Sequence, residues 1–363
     1  MRLFRKDIDK LEPYQPGKPI DEVKRELGLK KVIKVASNEN PLGPSPLSLE
    51  AINKALGDIN RYPDGSCFYL KKALAKNLRV KPSNLILGNG SDELIDIIIK
   101  AFLNEDEEAL TSRNTFLEYE IVAKANARLV RAIPMKNFRY DLKAIKNAIR
   151  PKTKLVFIAN PNNPTGTYVS QKEVGDFFKG LPKNIIVVFD EAYLEFVDKK
   201  DFPNTMALII RENIIILRTF SKIYGLAGLR VGYGIARESF ISGLERIRQP
   251  FNVNSLAQVA AAAAIEDKAF VKKTRSLILK EKMYLYQALD AIDVDYIPSA
   301  ANFILIDLEK EGSVVFKNML REGVIVRDML PYGLKNYIRV TIGRRKENER
   351  FIEVLKKVLD RNQ

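Results

Sequence analysis

The sequence predicts an α/β protein, with a large domain built on a mostly parallel mixed sheet covered by helices and a smaller α+β domain after it. Two observations carry this. Between Val32 and about Pro250, short β-branched apolar runs alternate with helical periodicities, the pattern of strands buried on both faces. Beyond Pro250 the texture changes to an Ala-, Lys- and Leu-rich helical stretch, then short strands and a closing amphipathic helix.

In chain order, residues 1–30 are polar and punctuated by Pro13, Pro16, Gly17 and Pro19 ahead of a short amphipathic helix at about Asp21–Leu27. This reads as an N-terminal arm on the small-domain side. The large domain, 31–250, is expected to hold strands at Asn84–Leu87, Leu155–Ala159, Ile185–Phe189, Ile214–Leu217 and Arg230–Ala236, with helices at Ser91–Leu103 and Ser170–Phe178. The small domain, 251–363, is expected to begin with one long helical stretch, Ser255–Ala291, in which Ala260–Ala264 is good helix filler. Strands Phe303–Asp307, Val324–Arg327 and Tyr337–Thr341 follow, and Lys346–Asp360 closes the chain as a helix.

With 363 residues, 46% hydrophobic and 29% charged, the composition is that of a globular enzyme rather than a disordered or fibrous chain. One cysteine excludes an internal disulfide and a thiolate metal cluster. The absence of histidine excludes Ser-His-Asp and Cys-His nucleophile systems and histidine metal sites. Chemistry must therefore rest on Lys, Asp, Glu, Tyr, Arg or a cofactor. No apolar run approaches the ~18 residues of a membrane helix, and the charged N-terminus does not read as a secretory signal, so a cytoplasmic protein without membrane contact is expected. Sixty Lys and Arg against forty-five Asp and Glu give a net charge of +15. The basic residues are spread along the chain with no basic arm, which argues for a field attracting small anions rather than for nucleic acid.

Ligands of open α/β sheets bind beyond the carboxyl ends of the strands, so polar residues directly after each apolar run deserve scrutiny. Gly88-Asn89-Gly90-Ser91-Asp92 opens a helix, where free amides suit a phosphate; a plain capped turn is the alternative. Asn160 to Gly166 contains two prolines and is either a tight turn or a rigid loop presenting Asn163. Asp190, with Tyr193 three residues on, follows a buried run and is either a capping carboxylate or the partner of a cationic ring nitrogen. Lys222 follows Thr219 and Ser221 and precedes Arg230; alone it is one lysine among many, but at a strand end it can be desolvated into a nucleophile. Together the four sites supply what a pyridoxal phosphate enzyme needs, a Schiff-base lysine and an acid for the pyridinium nitrogen.

Here the chain resembles the class I/II aminotransferases of fold type I, through Asn163-Pro-Thr-Gly166, Asp190-Glu-Ala-Tyr193, Ser221-Lys222 and Gly228-Leu-Arg230. Leu11-Glu-Pro-Tyr14, Gly17-Lys-Pro19, Ala36 to Pro44, Arg61-Tyr-Pro-Asp64, Val326-Arg-Asp328 and Arg339 to Gly343 are similar, more narrowly, to the histidinol-phosphate aminotransferases. The resemblance implies pyridoxal 5′-phosphate as cofactor, held as an aldimine by Lys222. Asp190 would sit on the pyridinium nitrogen, with Asn163 and Tyr193 on the ring oxygen and Phe116 stacked on the ring. Gly90, Ser91, Asp92, Thr219, Ser221 and Arg230 would hold the phosphate. Tyr62 would cross to the partner subunit's phosphate, making a homodimer the active unit. Tyr14, Asn38, Arg327 and Arg339 would bind the substrate. The implied reaction is transamination between L-histidinol phosphate and 2-oxoglutarate, with an aromatic amino-acid aminotransferase or a threonine-phosphate decarboxylase as alternatives. Arg113-Asn114 and Leu117-Glu118 depart from the family's usual neighbours of Thr115-Phe116.

Overall fold

A computed structural model describes residues 3–4, 17–209 and 213–360. Its strands are β1 (Ile33–Lys34), β2 (Leu85–Gly88), β3 (Glu108–Ser112), β4 (Leu129–Ile133), β5 (Thr153–Ala159), β6 (Ile186–Asp190), β7 (Ile214–Thr219), β8 (Gly232–Ala236), β9 (Tyr296–Ile297), β10 (Phe303–Asp307), β11 (Val324–Ile325), β12 (Arg327–Asp328) and β13 (Tyr337–Thr341). Seven of them form one sheet in the order β2-β8-β7-β6-β5-β3-β4, parallel except for β8, which runs against both its neighbours. β6 and β7 are buried along their whole length, as aliphatic runs packed on both faces require. Phe157 and Phe189 lie fully buried among the side chains of this core.

The second sheet, β12-β13-β10-β9, is antiparallel, and β1 pairs in parallel with β11 to form a separate ribbon. The expected run Val324–Arg327 is therefore two strands in two sheets rather than one. Ile33 and Lys34 pair with Val324 and Ile325, whereas Arg327 and Asp328 pair with Arg339 and Ile338. The early segment of the chain is thereby tied to the strand that leads directly into the small sheet holding the arginines.

The expected long helical stretch Ser255–Ala291 is helical but interrupted. It is two helices, Ser255–Glu266 and Lys268–Asp290, broken at Asp267. Asp267 leaves helical geometry, accepts a hydrogen bond from Phe270 N at 3.0 Å as an N-cap, and accepts a second from Ser45 Oγ at 2.6 Å. The first helix buries Ala257, Ala260, Ala261 and Ala264, and their small side chains allow close packing on helices Pro46–Ala55 and Phe68–Leu78. The strand expected at Arg230–Ala236 begins at Gly232, because Arg230 adopts the left-handed region with φ of +53°.

Candidate active site

The carboxyl ends of β5, β6 and β7 open onto one cleft, which is also lined by Arg327 and Arg339 from the small sheet and by Tyr332 from the turn between β12 and β13. At one end of the cleft the chain turns from β2 into helix Ser91–Phe102 through Gly90, whose φ of +83° a side chain would disfavour. No side chain caps this helix, so its first amides remain available to an anion. Gly232 lets β8 approach closely: a Cβ there would lie 2.5 Å from Ser91 N. Arg230 Nη1 donates to Ser221 Oγ at 3.3 Å and Nη2 to Asp92 Oδ2 at 2.9 Å, while Thr219 Oγ1 donates to Ser221 Oγ at 3.0 Å. Two hydroxyls, a guanidinium and a helix N-terminus thus converge, the arrangement that suits a phosphate dianion.

At the end of β6, Asp190 is 5% exposed and takes hydrogen bonds from Tyr119 Oη at 2.9 Å and Ala192 N at 3.2 Å. Both donors are neutral. Burial pushes its carboxyl from 3.8 up to about 6, against the pull of those two hydrogen bonds. A cation placed against it would restore the carboxylate. Tyr119 is held in turn by stacking on Phe157, ring centroids 4.9 Å apart, and by an edge contact with Phe116.

Lys222 is half-buried, 5.8 Å from the Tyr193 ring centroid, and its Nζ donates to Ser37 O at 3.3 Å. Burial, then the charge of Arg339, lowers its amine from 10.5 to about 8, so a reactive neutral fraction exists near neutral pH. Burial raises the Tyr193 hydroxyl above its usual range, so it stays protonated; it accepts a hydrogen bond from Asn38 Nδ2 at 2.9 Å. Asn38 itself sits at φ of +55°, with its amide N bonded to Thr341 Oγ1 and its carbonyl accepting from Asn302 Nδ2.

Arg327 and Arg339 are 8% and 5% exposed and directly opposite one another in the antiparallel β12–β13 pair. Like charges so placed repel unless an anion lies between them. Arg339 donates Nη1 to Asn163 Oδ1 and Nη2 to Ala36 O at 2.7 Å, packs over the Phe303 ring, and keeps a buried Nε without a partner. Each of those partners is neutral, so its charge is not cancelled by them.

Of the residues singled out from the sequence, Ser91, Asp92, Phe116, Asn163, Asp190, Tyr193, Thr219, Ser221, Lys222, Arg230, Asn38, Arg327 and Arg339 all line the cleft. Gly90 lies just behind, where a Cβ would strike Arg230 Nη2. Tyr62 is outside it, 83% exposed and stacked on Phe251. Tyr14 lies outside the described residues. Sequence reasoning did not single out Tyr119 or Tyr332. Tyr119 is one helical turn beyond Phe116, a spacing that could have flagged it.

The family model for aminotransferase class I and II matches residues 30–355. The chain is 50% identical over 357 residues to a histidinol-phosphate aminotransferase of Moorella thermoacetica, covering 98% of this chain and 92% of that one. It is 46% identical over 362 residues to another of that name from Anaeromyxobacter sp., covering 99% and 100%. Among solved structures, histidinol-phosphate aminotransferase from Sinorhizobium meliloti in complex with pyridoxal-5′-phosphate superposes with a TM-score of 0.91 at 28% identity, covering 100% of this chain and 99% of that one.

Proposed function

We propose that this chain, which belongs to the class I and II aminotransferase family, transfers the amino group of L-histidinol phosphate to 2-oxoglutarate, giving imidazole acetol phosphate and glutamate, with pyridoxal 5′-phosphate as cofactor. Its place is then histidine biosynthesis. The observation that carries the substrate reading is the opposed pair Arg327 and Arg339. Two buried guanidinium groups side by side on one face of the small sheet suit a dianion at one end of the donor, and the carboxylate of glutamate in the other half-reaction.

The residues fit the cofactor on their own chemistry. Asp190 is a buried acid held by two neutral donors and in want of a cation, and the helix at Ser91 offers uncapped amides. When bound, pyridoxal phosphate supplies an imine-forming aldehyde and an electron-withdrawing protonated ring. Lys222 Nζ anchors it and, once released, takes the proton from the donor's Cα; its lowered basicity suits both tasks. Asp190 keeps the ring nitrogen protonated. Tyr193 and Asn163 hold the ring oxygen, Phe116 covers one ring face, and Gly90, Ser91, Asp92, Thr219, Ser221 and Arg230 hold the phosphate. Arg327, Arg339, Asn38 and Tyr14 orient the substrate.

The same proposal includes a homodimer. Tyr62 is used by nothing in its own cleft and lies in a sequence neighbourhood where Leu56, Ile59, Phe68 and Tyr69 are also exposed. Apolar surface of that kind is a cost in water that a second copy would relieve, and Tyr62 would then reach that copy's phosphate site. The division into a cofactor-binding part, 31–250, and a smaller part, 251–363, with 1–30 as an arm, also belongs to the proposal, with helix Ser255–Glu266 packing on elements of the larger part. So does a cytoplasmic location; among the described residues no helix is long and apolar enough to cross a membrane.

The test is a panel of amino donors with 2-oxoglutarate as acceptor. Histidinol phosphate should lead in kcat/KM, and removing its phosphate should cost far more than changing its ring. Preference for phenylalanine or tyrosine would indicate an aromatic aminotransferase, and carbon dioxide released from threonine phosphate would indicate a decarboxylase. Either result would overturn the substrate reading while the family stands.

A further inference from the structure

We infer that Glu118 reads the ring of the amino donor, accepting a hydrogen bond from the imidazole N–H while Arg327 and Arg339 take the phosphate. The inference rests on the proposed donor and deepens it, because the arginines can account for the phosphate but cannot tell an imidazole from another flat ring. Glu118 lines the same cleft and is the first residue of helix Glu118–Ala125, two positions beyond Phe116. It is half-buried, and among the described residues no hydrogen bond or ion pair engages its carboxylate. Burial raises its affinity for a proton, and the charge of Asp92 raises it further.

The cleft lining thus carries charges of both signs: two guanidinium groups in register on β12 and β13, and a partly desolvated carboxylate from a different part of the chain. A carboxylate left partly buried without a donor is an unfavourable arrangement that a ligand N–H relieves, more so if the ligand carries positive charge. Histidinol phosphate carries a matching group for each: a phosphate for the guanidinium pair and, at its other end, a ring that donates a hydrogen bond and gains a proton near neutral pH. A phenyl ring of the same flatness leaves the carboxylate unpaired. The competing account is that Glu118 merely places negative charge in the first turn of its helix, which would affect stability and not ring preference.

The experiment compares histidinol phosphate with phenylalaninol phosphate as donors for the wild-type holoenzyme, Glu118→Gln and Glu118→Asp. Calorimetric titration of the holoenzymes with the unreactive 3-(imidazol-4-yl)propyl phosphate and 3-phenylpropyl phosphate gives a readout independent of turnover. In wild type, the imidazole compound should lead in both measurements. In Glu118→Gln, the imidazole-to-phenyl ratio should fall at least tenfold in kcat/KM and in Kd, as loss of a hydrogen bond to a charged group implies, with partial retention in Glu118→Asp. An unchanged ratio in Glu118→Gln, with or without a lower Tm, overturns the role of Glu118 and leaves the donor assignment standing. A wild type that does not use histidinol phosphate overturns both.

Discussion

The two sheets contribute to the cleft in different ways. The large, mostly parallel sheet gives one cleft residue per strand end: Asp190 closes β6, Thr219 closes β7, and Asn163 lies in the loop after β5. The small antiparallel sheet gives two arginines from within neighbouring strands, matched by register as Arg327↔Arg339. Strand ends carry residues whose roles differ, because each loop leaves in its own direction and can bear any side chain. A register pair duplicates a single role, since both residues share one face at one height. The first arrangement suits stepwise chemistry on a cofactor, and the second suits gripping one anion with two neighbouring guanidinium groups.

Perturbing each region in turn should break or sharpen this contrast. The largest effect is expected from Lys222→Ala, which should remove turnover while leaving cofactor affinity partly intact through the phosphate site, as a fluorescence titration would report. Borohydride should trap the cofactor on Lys222 in the unmodified protein; label on another lysine in a peptide map would displace it from this role. Next, Asp190→Ala should slow the single-turnover half-reaction by roughly 10²–10³-fold or more, because the acid's contribution is electrostatic. A near-normal rate would mean that the strand ends are not divided by role.

On the other side of the cleft, Arg339→Lys should lower kcat/KM by roughly tenfold to a hundredfold for histidinol phosphate and for glutamate alike, since an ammonium cannot reproduce the guanidinium fork. If only one of the two substrates weakened, the register pair would not be acting as one grip.

A smaller effect concerns stability of the cofactor-free protein. Asp190 has its carboxyl raised from 3.8 to about 6, so the folded chain binds its proton more tightly than the unfolded chain does. That contribution is fully present below pH 3.8 and is lost as pH rises through about 6. At pH 7.5, Asp190→Asn should therefore unfold at higher denaturant than wild type, by up to about 2–3 kcal/mol, with the difference shrinking below pH 4. Equal stability at pH 7.5 would show that the Tyr119 hydroxyl already satisfies the acid. The smallest effect is expected for Tyr62→Phe, a few-fold loss of cofactor affinity. Mixed with Lys222→Ala subunits it should regenerate one good site per heterodimer, and failure of any mixture to gain activity would count against a shared site.

The strand-end residues were legible because each follows an apolar run, a purely local signal. The paired arginines were legible one at a time from their flanking residues, but their standing side by side depends on which strands pair, and Arg327 and Arg339 are matched by a register that no local pattern states. Tyr119 was missed for a similar reason: its hydroxyl meets a carboxylate 71 residues away. The break at Asp267 was hidden by the Ala- and Lys-rich sequence around it, whose strong helix propensity masks one N-cap residue.

The segment after β1 has a further consequence. Its four successive carbonyls are taken up in turn: Val35 O by Thr341 N, Ala36 O by Arg339 Nη2, Ser37 O by Lys222 Nζ and Asn38 O by Asn302 Nδ2. Both halves of the cleft thus lean on one stretch of main chain, and they do so through atoms that every amino acid possesses. Point substitution can change the side chains of this stretch without deleting any of those acceptors, so the link between arginine and lysine is shielded from the usual supply of genetic variation. Replacing single peptide bonds by esters, which weakens the carbonyl oxygen as an acceptor, would reach it where ordinary mutagenesis does not.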